Sequence, residues 1–341
     1  MVITTFWKNF IIGLVISMLF FAIVAKIGAD YVVDVVQKSV EKDKDDKLSQ
    51  NVNQNQNDGP KDISDISGTY SFAVFITEDT YLSDFAPPFD GYTYDSIIES
   101  EHMQYSKTIR YICAVTFDSS NRQIIVDTMV GNILVPINNV SVPLDYTYYL
   151  ARTGSNGFTP GGLAEIAGTY TGLNIDNYFF AEIDVFSEIT NYCKDAKINI
   201  PEAFVEVSPV TGQNTSVFPG EQPLTYEILY MLLKNDSYVG YEGVCNAISN
   251  AMIPYLRSIL HPDKSGELEK VVNRLRQKTN TDLTVSSLDH KNELLFSSND
   301  FEAHTALPSA TLKKYGNDYY YSININESIS NIKKYYNKSS T

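Results

Sequence analysis

Of 341 residues only one is tryptophan, three are cysteine and four are histidine. Cys113, Cys193 and Cys245 lie far apart, so there is no CxxC spacing for a zinc site or a thioredoxin-type centre. An odd number leaves at least one thiol outside any disulfide. A Cys193–Cys245 bridge stays open, and burial of all three as small apolar side chains is the expectation. His102, His261, His290 and His304 include no i, i+4 pair, so each is expected on the surface or in a loop rather than on a metal. GxSxG, Walker A, HExxH and GxGxxG are all missing, which removes the chemistries those motifs carry. Positive charge is short as well: 26 Lys and Arg stand against 41 Asp and Glu, a net charge of −15. With no compact basic patch, that balance excludes nucleic acid as a partner. No repeat of fixed period is present, which excludes a solenoid.

Long apolar runs are confined to the N-terminus. Asn9 to Ala25 (NFIIGLVISMLFFAIVA) carries no formal charge and is flanked by Lys8 and Lys26. Such a run is at the short end of what crosses a hydrocarbon core of ~30 Å. Phe6, Trp7 and Ile27 lengthen it, the two lysines can snorkel outward, and Trp7 stands where an interfacial aromatic belongs. Lys8 and the free amine precede the run, and Asp30 and Asp34 follow it. The positive-inside rule therefore puts the N-terminus in the cytoplasm and the bulk of the chain outside. A cleaved signal peptide fits less well, because Ile23-Val24-Ala25 is a poor small-residue cleavage site. Residues 1–28 read as a single-pass cell-membrane anchor and 29–63 as an extracytoplasmic linker. The stretch Glu41 to Asp62 is charged and then rich in Asn and Gln, so it cannot bury apolar surface. Residues 64–341 remain as the outer domain.

That domain has an ordinary share of apolar residues, and the whole chain has 24 tyrosines, a residue favoured in strands and at wet surfaces. Thr69 to Thr77 reads as a strand, and Arg110 to Phe117 and Gln123 to Val130 as a hairpin about Asp118-Ser119-Ser120-Asn121. Asn132 to Val142 continues extended. Helical spacing marks Leu163–Thr171, Val185–Cys193, Thr225–Lys234, Tyr241–Leu260 (kinked or broken near Pro254), Leu268–Thr279, Ser286–Leu295 and Asn326–Tyr336. Tyr178–Ile183, Ala196–Ile200 and Tyr319–Asn324 read as strands. Strands alternating with helices after an antiparallel hairpin give an α/β fold, a three-layer αβα sandwich with a mixed central sheet.

One residue breaks its local pattern. Asp127 lies within Ile124-Ile125-Val126-Asp127-Thr128-Met129-Val130, on one strand face with Ile125 and Met129. A carboxylate there needs a partner, water or a metal. Three accounts stay open: Asp127 caps a turn at the strand's end, it pairs with Arg110 across the hairpin, or it is a site carboxylate that holds a metal.

The order of segments resembles the LytR–CpsA–Psr family, membrane-anchored transferases of Gram-positive bacteria that move glycopolymers from polyprenyl pyrophosphate onto peptidoglycan. The family's S-x-P-R-D-T strand matches Ile124-Ile125-Val126-Asp127-Thr128-Met129. Gly161-Gly162-Leu163, Thr171-Gly172-Leu173-Asn174-Ile175-Asp176-Asn177-Tyr178, Ile183-Asp184-Val185-Phe186 and Ile198-Asn199-Ile200-Pro201 then follow in family order. Thr281-Asp282-Leu283-Thr284 and Ala306-Leu307-Pro308 resemble its tail. The likeness spans about Thr69 to Tyr336.

The departures fall on the family's cations. Its Arg before Asp-Thr is Val126 here, Leu232 and Lys234 stand at its R-x-R, and an Arg-Gln pair falls near Cys245-Asn246. Asp127, Lys234 and Asp236 remain, and Arg110 and Arg152 are the candidate substitutes for phosphate contact. Pyrophosphate needs several cationic donors. The resemblance therefore implies an LCP-like cell-envelope protein with a non-catalytic lipid-pyrophosphate-binding, regulatory or scaffold role. An atypical phosphotransferase using Asp127 with Mg²⁺ is the alternative, and an unrelated extracellular binding module is the third reading. The implied partners are the membrane, a polyprenyl-pyrophosphate glycolipid and peptidoglycan.

Overall fold

The computed structural model describes residues 68–81, 105–137, 140–144, 159–193, 195–235, 238, 240–263, 268–284, 291–315 and 318–336. They belong to the compact unit Asp58–Thr341. The anchor expected at 1–28 and the linker at 29–63 lie outside the described residues. Among the described residues no helix is long and apolar enough to cross a membrane.

The centre is a mixed six-stranded sheet. The first strand, β1 (Thr69–Tyr81), pairs antiparallel with β2 (Tyr105–Asp118), and β2 pairs antiparallel with β3 (Gln123–Val130). A short hairpin, β4 (Leu134–Ile137) and β5 (Val140–Pro143), follows. Helix α1 (Pro160–Thr171) then leads to β6 (Asn177–Glu182), which runs parallel to β1. Helix α1 is bounded as its sequence asks. Thr159 caps it by accepting from the Gly162 amide at 3.1 Å, and Gly172 leaves it at φ 71°, where a side chain is disfavoured.

The chain continues through α2 (Phe186–Thr190), β7 (Lys197–Ile200), the hairpin β8 (Phe204–Val207) and β9 (Asn214–Val217), and β10 (Gly220–Pro223). Next come α3 (Tyr226–Lys234), α4 (Gly240–Ile259), α5 (Leu268–Lys278) and β11 (Asn280–Thr281), which pairs with β6. Helix α6 (Asn292–Ser297) precedes β12 (Glu302–Ala306), which lies parallel to β3 and ends the sheet. The hairpin β13 (Ala310–Tyr315) and β14 (Asp318–Ile323) and helix α7 (Ile325–Tyr336) complete the described residues.

Alternation along the strands sorts the core by face. Tyr70, Phe72, Val74 and Ile76 of β1, with Cys113, Val115 and Val126, pack against α2 to α5. On the other face Ala73, Phe75, Ile112 and Met129 meet α1, and Ala114 and Ile125 meet Ile329 and Ile332 of α7. Helices thus cover both sides of the sheet.

Several expectations need correction. Residues 132–142 fold back as β4 and β5 rather than running on. The helix expected over 185–193 shrinks to a 3-10 turn, Ile183–Val185, and the five residues of α2. Helix α4 is not broken at Pro254, which lies inside it. The hairpin β8–β9 and the strands β12 and β13 went unread, because strands of four to six residues with mixed composition give little period-2 signal. His304 is not a loop residue: it lies in β12 and stacks on Tyr335 at 4.6 Å. All three cysteines are buried as thiols, so the Cys193–Cys245 bridge does not form.

Candidate functional site

On the α2–α5 side of the sheet the core is incompletely filled. Tyr70, Phe72 and Val74 of β1 and Phe179 and Ala181 of β6 form the floor of a partly enclosed cavity of about 100 Å³. Met252, Tyr255 and Leu256 of α4 and Val271, Val272 and Leu275 of α5 form its walls. No Arg, Lys, Asp or Glu is among its lining residues. Its two tyrosines differ. The Tyr70 hydroxyl donates to Asn177 at 3.0 Å, whereas the buried Tyr255 hydroxyl has no hydrogen-bond partner.

The cations identified in the sequence gather elsewhere on the same strand. Glu78, near the end of β1, bridges two of them. Arg110 donates from Nη1 to Glu78 Oε1 at 2.8 Å, and the Lys234 ammonium pairs with Glu78 Oε2. Arg110 also caps the end of α3, through Nε to the Leu233 carbonyl at 2.5 Å and Nη2 to the Lys234 carbonyl at 2.9 Å. Burial works to raise the Glu78 pKa. The Arg110 charge and the hydrogen bonds from Lys234 and Arg110 outweigh it, and the carboxyl lies below its ordinary value.

Backbone geometry brings Arg110 there. Ile76 pairs with Tyr111, but Thr77 pairs with Ile109. Arg110 is therefore the extra residue of a β-bulge on β2, the device that re-aims a side chain. Regular alternation would leave Arg110 on the face of Ile112 and Ala114. The bulge turns it toward α3. Gly131 makes the bulge possible: its amide donates to the Arg110 carbonyl at 2.7 Å, and a Cβ there would stand 1.7 Å from the Ile109 carbonyl oxygen.

Asp127 is not part of this group. In register it faces Ala114 on β2 and Ala306 on β12, on the side away from the cavity. It is fully buried in mid-strand, so it caps no turn, and the Arg110 pairing is replaced by Glu78. Neither of its carboxylate oxygens has a hydrogen-bond partner, and burial pushes its pKa well above the carboxylate range. These surroundings do not suit Mg²⁺, which keeps several waters and wants an octahedron of oxygens. Among the described residues no three His, Cys, Asp or Glu side chains gather into a metal site. Val126 and Leu232, at the positions of two family arginines, are buried core residues. Arg152 and Asp236 lie outside the described residues. Cys113 accepts from Thr128 at 3.6 Å, and burial pushes its thiol up to about 12, so it is no nucleophile.

Glu78 was missed in the sequence. Its only signal was an acid directly after an apolar strand run. Its two partners lie 32 and 156 positions away.

No protein-family model and no curated protein matches this sequence. Solved structures do match. TagV of B. subtilis is 12% identical and covers 78% of this chain and 97% of its own, at a TM-score of 0.54. TagT bound to LIIa-WTA is 10% identical and covers 83% and 93%, at a TM-score of 0.54. A transcriptional regulator from Enterococcus faecalis is 12% identical and covers 78% and 87%, at 0.53. Identities this low speak to fold alone. The chain shares its fold with TagV and with TagT, the fold of the LytR–CpsA–Psr family that its order of segments resembles.

Proposed function

We propose that this chain is a membrane-anchored cell-envelope protein of LytR–CpsA–Psr type. In this reading the N-terminal helix holds an αβα sandwich domain outside the cell, and the domain binds polyprenyl-pyrophosphate-linked glycopolymer without transferring it. The observation that carries the reading is the apolar cavity between β1, β6, α4 and α5, whose lining carries no cation. The cavity's hydrocarbon walls match an isoprenoid tail in chemistry, and its volume of about 100 Å³ matches a short segment of such a tail rather than the whole length. A transferase also needs several cationic groups poised to take up charge as the pyrophosphate bond breaks. Here Arg110 and Lys234 are held by Glu78, and Val126 and Leu232 supply none.

The test is binding and turnover of polyprenyl-pyrophosphate glycolipid by the full chain in lipid nanodiscs, with and without Mg²⁺, alongside Asp127→Ala. Binding without turnover supports the reading. Turnover lost in Asp127→Ala would overturn it in favour of an atypical Mg²⁺-dependent phosphotransferase acting on peptidoglycan. With neither binding nor turnover the likeness would stop at the fold, and the chain would be an extracellular binding module of another kind. Protease protection of the N-terminal tail in sealed vesicles tests the anchor and its orientation.

A further inference from the structure

We infer that Arg110 and Lys234 form an oxyanion site that the chain closes from within, with Glu78 standing where a phosphoryl or pyrophosphoryl group would bind.

The first support is the fork itself. Glu78 offers two oxygens, and each is taken by a different cation, Oε1 by Arg110 and Oε2 by Lys234. A phosphoryl group presents the same edge of two oxygens with more charge, and charge-assisted bonds to a guanidinium and an ammonium suit it at least as well. The second support is the backbone. The bulge spends a ladder position to turn Arg110 to this side, and Gly131 is the residue that permits it. Bulges that re-aim a side chain gather next to functional sites. Two further bonds to the carbonyls of Leu233 and Lys234 fix the guanidinium against the end of α3. Arg110 is thus held in place without Glu78, and Lys234 comes from the same helix end.

The third support is access. The side chains are 17% (Arg110), 15% (Glu78) and 30% (Lys234) exposed, so an anion from solvent can reach the group. Glu78 can leave by rotating its side-chain torsions, while Arg110 keeps its bonds to the Leu233 and Lys234 carbonyls. The carboxylate therefore acts as a latch. A doubly charged oxyanion competes with it, and a singly charged or neutral ligand does not.

This inference takes its setting from the proposed envelope-lipid reading, but its test uses inorganic pyrophosphate, which has no tail to enter the cavity. Pyrophosphate affinity is measured calorimetrically for the full chain and for Glu78→Gln, with circular dichroism to confirm the fold. The variant is expected to bind at least about tenfold more tightly than the wild type, and adding Lys234→Met to it is expected to abolish the gain. A folded Glu78→Gln chain with wild-type affinity would overturn the latch. Should Glu78→Gln not fold, Glu78→Asp carries the same comparison, because its shorter arm cannot span both cations, and an unchanged affinity there is equally fatal. A gain in pyrophosphate affinity beside a failure to bind polyprenyl lipid would keep the latch and remove the lipid reading. The converse result would do the opposite.

Discussion

At Asp127 the chain buries a carboxyl group between two alanines with no hydrogen-bond donor for either oxygen. The folded state can hold this group comfortably only as the neutral acid. Its pKa is raised above the unfolded value of ~3.9, so the sign follows directly. Below that value Asp127 is protonated in both states and costs nothing extra. As the pH rises above it, the unfolded chain ionises first, and stability is lost progressively toward the folded pKa. Asp127→Val puts a β-branched, strand-favouring side chain at this position and removes the orphaned oxygens. It is expected to raise stability at pH 7 by ~1–3 kcal/mol and to flatten the decline in melting temperature between pH 5 and 8. A variant that melts lower at both pH values would mean that the carboxyl has a partner. At this scale the sequence was half legible. Period-2 alternation put Asp127 inside an apolar strand and flagged it as unusual. It could not tell that Arg110, four register positions away, belongs to Glu78, because a bulge leaves no mark on alternation until both partner strands are known.

Among elements, the bulge and the cavity carry the site, and each can be broken alone. Gly131→Ala places a methyl on the Ile109 carbonyl, a backbone atom that cannot move aside. The expected cost is ~1–3 kcal/mol or more, with loss of the Arg110–Glu78–Lys234 group, read as a lower denaturation midpoint at unchanged m-value. Val271→Phe adds bulk to the α5 wall of the cavity. It is expected to weaken prenyl-lipid binding by about tenfold while the thermal midpoint shifts by only a few degrees. Equal lipid binding in Val271→Phe and the wild type would place the lipid elsewhere. The strong helices α3, α4, α5 and α7 and the β2–β3 hairpin were readable because each has a long apolar period or a clear turn. The cavity was not: Ile248 to Leu260 looks the same whether its inward side chains meet protein or empty space, and only packing against α5 and β6 decides.

Over the whole molecule, the order of segments resembles the LytR–CpsA–Psr pattern while the cations differ from it. Matches such as Thr171–Tyr178 and Ile198–Pro201 were enough to read the fold. They are residues of helix ends, strand starts and turns, whose identities the backbone dictates. Val126 and Leu232 show that the fold does not depend on cations at these two positions: a buried aliphatic side chain serves a core position as well as the stem of an arginine does. The sheet also depends on distant sequence. Among the described residues its edge beyond β3 is covered by β12 alone, and Gln123 of β3 is tied to the Tyr335 carbonyl at 3.3 Å. A chain cut after Asp300 is therefore expected to associate rather than stay monomeric in sedimentation, since β3 would present an open, apolar edge.

That late closure governs how the protein is born. Synthesis delivers β1, β2 and β3 long before Glu302 opens β12, so throughout the growth of the chain the hairpin waits with a bare flank. Fully formed structure must then lag behind translation, and a holding chaperone, or the crowding of nascent neighbours, has its opportunity in that interval.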